Sequence, residues 1–342
     1  MRKKSKKQIM KILWAVAAVF VCILFFTFAI YSTVSRPVSF VINPGDSVNA
    51  VSKRVSGQKL VMNDSVFKIA IRLHGGRVQA GEYEIPRGAS VWKIAKMFSH
   101  GKIATVDILI PEGLTIRQIR DLLAESVHLS GDTECDSQQR WGDVCQASDG
   151  DIFPDTYRVA RGTSRMAVLD LAYKKMQTIK NKFYASGNVP PAPLKNWNDV
   201  LILASIVQRE TPKVSEMRIV ASVYLNRLRR GMRLQADPTV IYALTDGYGD
   251  MQGAPLLRDH LKIDSPYNTY RNNGLPPAPI ANVGMHAIRA VMNPANTNYL
   301  FFVADGRGGH KFSTDFDQHL KNRLDWREIK RQKNPELQEV FK

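Results

Sequence analysis

One short segment, Gln208-Arg209-Glu210-Thr211-Pro212, carries the residue types that could do chemistry. It follows Val200-Leu-Ile-Leu-Ala-Ser-Ile-Val207, a run apolar on nearly every face, which as a helix must be buried. Pro212 stops that helix. Glu210 is then the last carboxylate at the C-terminal end of a buried helix. Partial desolvation and the negative end of the helix dipole both push its pKa up. A carboxyl raised toward neutrality is what a general acid needs. The same position also suits a solvated helix-end glutamate with no chemical task. The residues alone leave both readings open.

Other reaction classes lack their signatures. The seven histidines show neither His-x-x-x-His nor His-Glu-x-x-His spacing, so no metal is expected. There is no Gly-x-Ser-x-Gly elbow. Asp305-Gly-Arg-Gly-Gly309 has no Gly-Lys-Ser/Thr, and it lies between Tyr299–Ala304 and His310–Thr314 as the turn of a hairpin. No Cys-x-x-Cys occurs, which removes a zinc ribbon or a dithiol redox site.

The elements that must position Glu210 follow it directly. A second helix is expected from about Ser215 to Arg230, with Val220, Val223, Tyr224 and Leu228 inward and Gly231 as its C-cap. Leu234 to Thr239 is a loop in which Asp237-Pro238 suits an N-cap followed by proline at the first helical position. Ser265-Pro-Tyr-Asn-Thr-Tyr270 and Gly274-Leu-Pro-Pro-Ala-Pro-Ile280 are aperiodic loops stiffened by proline. Aromatic and amide side chains on stiff loops suit sugar rings; an ordinary surface loop is the alternative.

The N-terminus bears on compartment. Six cations precede residue 12, and Ile12 to Tyr31 is a run of roughly 20 apolar residues, about 30 Å as a helix. A single-pass helix over 12–33 is expected, with residues 1–11 cytoplasmic and the remainder outside the inner membrane. A cleaved signal peptide would have a shorter apolar region and a small-x-small site. The chain has 48 basic and 31 acidic residues, and 42 against 31 without the first six cations. With the domain outside the membrane, nucleic acid is not an expected partner, whereas acidic glycan or anionic lipid is. Cys135 and Cys145 lie ten apart in a polar stretch, where an oxidising compartment would let them pair; two free surface thiols are the alternative.

Between residues 37 and 118 a pattern occurs three times. A short β-like segment leads to Pro-x-Gly or Pro-Gly, then Ser or Thr at an N-cap, then apolar residues at helical spacing. The three turns are at Pro44-Gly45, Pro86-Arg87-Gly88 and Pro111-Glu112-Gly113. The small β-α units at 37–104 resemble carbohydrate-binding LysM folds.

Leu203-Ala-Ser-Ile-Val-Gln-Arg-Glu-Thr211, Val220-Ala-Ser-Val-Tyr-Leu-Asn-Arg-Leu228 and Gly231-Met-Arg-Leu-Gln-Ala-Asp-Pro-Thr-Val-Ile-Tyr242 together resemble the YceG-like (MltG) endolytic murein transglycosylases. Phe153-Pro-Asp-Thr-Tyr157, Tyr267-Asn-Thr-Tyr270, Gly274-Leu-Pro-Pro277, Asn293-Pro294 and Tyr299 to Gly309 continue the likeness in order. It covers about residues 37–325. It implies an α+β protein with a single N-terminal transmembrane helix, a small LysM-like module at 37–104, and a mixed α/β catalytic domain at 105–335 with a polar insertion at 129–152. It implies a lyase that cuts nascent peptidoglycan glycan strands internally and leaves 1,6-anhydro-N-acetylmuramic acid ends. One Glu acts as acid and then base, and no cofactor is implied.

That catalytic carboxylate falls on Glu210. Where the family has Glu two residues earlier, this chain has Gln208, which cannot transfer a proton. Gln208, Asn226, Gln235, Asp237, Tyr267, Asn268 and Tyr270 are the candidate sugar-binding or orienting residues. Penicillin-binding synthases and the inner membrane are the implied partners, and the periplasm the implied site of action. Two other functions stand beside this one. An anchored glycan-binding scaffold for cell-wall synthases is the reading in which Gln208 signals lost chemistry. A pyridoxal-phosphate lyase of folate metabolism fits poorly with an external domain.

Overall fold

In this computed structural model residues 2–30, 34–135 and 142–333 are described. Helix α1 (Arg2–Ile30) opens the chain, and its described side chains, Met10 to Leu24, are exposed. The structure does not show the membrane span expected over 12–33. Among the described residues no helix is long and apolar enough to cross a membrane. Residues 31–33 of the expected span lie outside the described ones.

The chain divides into two compact units, Met1–Asp107 with Arg158–Thr163, and Ile108–Tyr157 with Ser164–Lys342. In the first, β1 (Val38–Ile42) is followed by α2 (Val48–Gly57), α3 (Asp64–Leu73), β2 (Gly81–Ile85) and α4 (Val91–His100). Ser47 and Ser90 cap α2 and α4 as their positions predict, each accepting a backbone N–H. Strands β1 and β2 pair antiparallel, with Phe40 opposite Tyr83 and Val38 opposite Ile85. Alternation along each strand turns Phe40, Ile42, Tyr83 and Ile85 inward against Val51, Val55, Phe67, Ile94 and Phe98.

β3 (Thr105–Leu109) pairs with β4 (Thr156–Ala160). The second unit holds α5 (Ile116–Glu125), α6 (Arg165–Ala185), α7 (Trp197–Glu210), α8 (Val214–Arg229), α9 (Asp237–Leu244), α10 (Met285–Met292), β5 (Phe301–Ala304), β6 (His310–Ser313) and α11 (Phe316–Lys333). All of Val200 to Val207 is buried, as an all-apolar helix requires, and α8 and α10 pack on α7. Helix α7 ends at Glu210, one residue before the N-cap-like turn in which the Thr211 hydroxyl accepts from the Lys213 N–H. The expected hairpin is present as β5 and β6, its turn held by Asp305, whose carboxylate accepts the N–H groups of Arg307 and Gly309.

Cys135 and Cys145 are joined by a disulfide. Residues 136–141 of the polar stretch lie outside the described ones. Its end is well packed: Asp149, Ile152 and Phe153 are buried. The architecture is therefore mixed α+β, and among the described residues every sheet is two-stranded.

Candidate active site

Glu210 is held from α8. The Tyr224 hydroxyl donates to Glu210 Oε1 at 2.5 Å, and Tyr224 is itself buried. Glu210 keeps a partly open face. Burial pushes its carboxyl from 4.5 up to about 7, and the nearby charge of Asp237 adds to the rise. The Tyr224 hydrogen bond and the charge of Arg227 act the other way, because both favour the carboxylate. Burial, with Glu210 beside it, holds the Tyr224 phenol far above its usual range, so it stays a proton donor.

Arg227 lies three residues after Tyr224 and so on the same face of α8. It is 8% exposed. Its Nε donates to the Leu300 carbonyl at 2.6 Å, and its Nη1 to the carbonyls of Leu234 (2.9 Å) and Arg233 (3.2 Å) and to Gln235 Oε1 (3.3 Å). The guanidinium also sits over the Phe301 ring, 5.1 Å from its centroid. These bonds organise the loop between α8 and α9. In that loop Gln235 has φ 50°, a left-handed conformation unusual for a side chain with Cβ, held by its N–H bond to the Thr269 carbonyl.

Asp237 was expected as an N-cap. The structure begins α9 at Asp237 and places Ala236 at the cap position, with no side-chain cap bond. The Asp237 carboxylate instead accepts the Tyr270 hydroxyl at 2.5 Å. Burial, then the Asp237 hydrogen bond, raises the Tyr270 phenol, so it too remains protonated. Glu210, Tyr224, Arg227, Gln235, Asp237 and Tyr270 thus form one electrostatic cluster. Tyr224→Phe removes a donor to the carboxylate and must raise its pKa. The expected result is an alkaline limb of the activity profile displaced to higher pH, with turnover lowered about tenfold. An unmoved limb in the folded variant would remove Tyr224 from the acid's environment.

Four sequence candidates lie elsewhere or are spent on structure. Gln208 is two residues from Glu210, so it points to a different side of α7, where its Oε1 accepts the Gly284 N–H at 3.3 Å. Asn268 is fully buried; its amide donates to the Leu261 and Ile263 carbonyls and its oxygen accepts the Tyr270 N–H. Asn226 donates to the Thr297 and Tyr299 carbonyls and accepts from Arg229. Tyr267 packs against Tyr242, whose hydroxyl donates to buried Asp149 at 2.6 Å. Tyr224 and Arg227 carried a legible signal, since their spacing puts a phenol and a cation on one helix face. The bond from Tyr224 to Glu210 had none. Among the described residues no cluster of His, Cys, Asp and Glu is suited to a metal.

A buried helix that ends in a raised carboxyl bonded to a phenol is an arrangement able to give and take a proton near neutral pH. Residues 40–324 match the YceG-like family, and the chain belongs to it. Over 122 residues it is 43% identical to the endolytic murein transglycosylase of Bacillus subtilis, covering 36% of this chain and 32% of that protein. Over 177 residues it is 30% identical to the endolytic murein transglycosylase of Streptococcus pneumoniae, covering 51% and 31%. The match thus spans about a third of the length of these relatives. The crystal structure of a YceG-like protein from Listeria monocytogenes superposes with a TM-score of 0.51 at 26% identity, over 84% of this chain and 98% of that one.

Proposed function

We propose that this chain is a lytic transglycosylase that cuts peptidoglycan glycan strands internally, with Glu210 as its acid and then its base. The observation that carries this reading is the Glu210 carboxyl itself. It is partly open to solvent, pushed up to about 7, and fixed through one oxygen by Tyr224. A group with that pKa both gives and takes a proton near neutral pH. In the proposed reaction Glu210 protonates the glycosidic oxygen that leaves C1 of N-acetylmuramic acid. The C6 hydroxyl oxygen of the same sugar bonds to C1, and its proton passes to the Glu210 carboxylate. No water is consumed, so no second carboxyl is required to activate one. The relatives named as endolytic murein transglycosylases support the substrate class.

Gln235, Asp237 and Tyr270, grouped at the mouth of the cluster, are the proposed sugar contacts. Asn226 and Asn268 serve to hold the loops that carry them. Gln208 acts as a clamp on Gly284 and needs no proton for that task. The test is incubation of the chain with uncross-linked glycan strands, followed by mass spectrometry for 1,6-anhydro ends beside Glu210→Gln. Ends from the parent and none from the variant support the lyase. Strand binding without any ends from the parent favours the scaffold reading.

Attachment to the inner membrane through α1, with the catalytic unit in the periplasm, is part of the same proposal. It is supported by the six cations at the start of α1 and by exposed Ile12, Trp14, Val16 and Phe20. The full chain is expected in the membrane fraction, and a version beginning at residue 35 in the soluble fraction. Recovery of the full chain in the soluble fraction without detergent would end that part. Penicillin-binding synthases are proposed partners because the strands they make are the substrate. The unit at 37–104 is proposed as a LysM-like support for strand binding.

A further inference from the structure

Helices α8 and α10 pack together and leave a cavity of about 300 Å³ between them. Its walls are Val214 and Arg218, one turn apart on α8, and His286, Arg289 and Asn293 on one side of α10. The opposite side of α10, with Ala287, Ile288 and Val291, is buried in the core. Arg218 is held in place, because its Nε donates to the Asn293 carbonyl at 2.7 Å. Among the described residues no carboxylate lies within ion-pair distance of Arg218, His286 or Arg289. The acid of that turn of α8, Glu216, lies two residues before Arg218 and so on another side of the helix. There His310 Nδ1 takes it at 2.6 Å and Lys213 Nζ at 3.8 Å. The cavity is therefore lined by two guanidiniums and an imidazole with no acid of their own.

A second cavity, of about 520 Å³, adjoins the first, and Arg289, Met292 and Asn293 line both. Its other walls are mainly apolar, with Phe183, Trp197, Met285 and Ile288 among them. The two form one groove along α10, cationic at one end and apolar at the other. A guanidinium presents a planar fork that matches a carboxylate through two parallel bonds. The occupant that fits carries carboxylates on a short aliphatic frame, which is the chemistry of an acidic peptide. The groove also adjoins the end of α7. Val214 follows Glu210 by four residues, and Gly284, two residues before His286, donates its N–H to Gln208 Oε1 at 3.3 Å.

We propose that this groove is a subsite for the acidic peptide arms that a peptidoglycan strand bears. Their carboxylates are bound by Arg218, His286 and Arg289, and their aliphatic carbons lie against Met285 and Trp197. This rests on the reading of the chain as a glycan-strand lyase. A peptide held there anchors its strand beside Glu210, so the chain prefers strands that still carry their peptides.

The experiment is calorimetric titration of the full chain, in neutral detergent, with the peptide Ala-γ-D-Glu-diaminopimelate. Binding is expected for this peptide and not for the same peptide with its carboxylates converted to amides. Arg289→Gln is expected to weaken binding about tenfold, the loss of one charge-assisted pair, and Arg289→Lys by less. Arg289 is exposed, and its side chain has no ion-pair partner among the described residues, so this variant keeps the fold even if Arg218→Gln does not. Cleavage gives a second readout, the ratio of KM for peptide-bearing strands to KM for strands stripped of peptide by an amidase. That ratio is expected to be well below one in the parent and to approach one in Arg289→Gln. No binding at millimolar peptide, equal binding of the amidated peptide, or parent-like affinity in Arg289→Gln overturns the proposal. Dioctanoyl phosphatidylglycerol is titrated in the same way. If Arg289→Gln loses affinity for that lipid and none for the peptide, the groove serves the membrane surface and the proposal falls. Peptide binding needs no turnover, so absence of anhydro ends from the parent would count against the lyase reading alone.

Discussion

Glu210→Gln is expected to lower formation of anhydro ends by about 10²–10⁴-fold while leaving the fold intact. Glutamine keeps the size of the side chain and can still accept from Tyr224, so packing around α7 and α8 is preserved. It cannot carry the proton. The same variant has a second, independent signature in stability. The carboxyl titrates near 4.5 in the unfolded chain and near 7 in the folded one. A raised folded value means that the stabilising effect of the bound proton is fully present below about pH 4.5 and is lost as pH rises through about 7. The difference corresponds to about 3 kcal/mol. Glu210→Gln has no such proton to lose. It should therefore be more stable than the parent at pH 8 and similar to it at pH 4, read from denaturant midpoints at the two values. A variant that follows the parent at both pH values would show that another group titrates, and the assignment of the acid would fall with it.

Asn282→Ala is expected to destabilise the second unit by about 2–5 kcal/mol. Asn282 is fully buried. Its Oδ1 accepts the N–H groups of Gly150 and Ile152, both at 3.0 Å, and its Nδ2 donates to the Leu114 carbonyl at 3.1 Å. Its backbone adds two more bonds, from its own N–H to Leu114 and from the Gly113 N–H to its carbonyl. One side chain therefore ties the end of the disulfide-closed stretch to the turn before α5. Alanine leaves two buried N–H groups without partners, each costing about 1–3 kcal/mol and partly relieved by water entry, while the Leu114 carbonyl keeps its bond to the backbone N–H of residue 282. The denaturant midpoint should fall with the slope unchanged. A loss below about 1 kcal/mol would mean that the loops rearrange to pair among themselves.

The two residues differ in how far sequence reasoning reaches them. Glu210 was legible because its position depends on local facts: an all-apolar run that must be buried, a proline that ends it, and a carboxylate at the junction. Helix α8, the hairpin at 301–313 and the capped turns at Ser47, Ser90 and Thr115 were legible for the same reason, since periodicity and turn chemistry act over a few residues. Asn282 was not, because nothing near it in the chain indicates that its partners lie about 130 and 168 residues away. Asp237 shows the same limit from the other side. Its local signal was that of a helix cap, and Tyr270, 33 residues later, claims the carboxylate instead.

By itself, then, the sequence determined the family, the buried helix over Val200–Val207, and the carboxylate at its end. Those follow from patterns of burial and backbone termination that are local along the chain. Only the tertiary structure decided which side chains surround the acid. Tyr224, Arg227, Asp237 and Tyr270 come from three separate elements, and the packing of α8 against α7 brings the Tyr224 hydroxyl onto Glu210. Whether a carboxyl sits near 4.5 or near 7 depends on desolvation and on charges that converge in space, and sequence distance does not encode either.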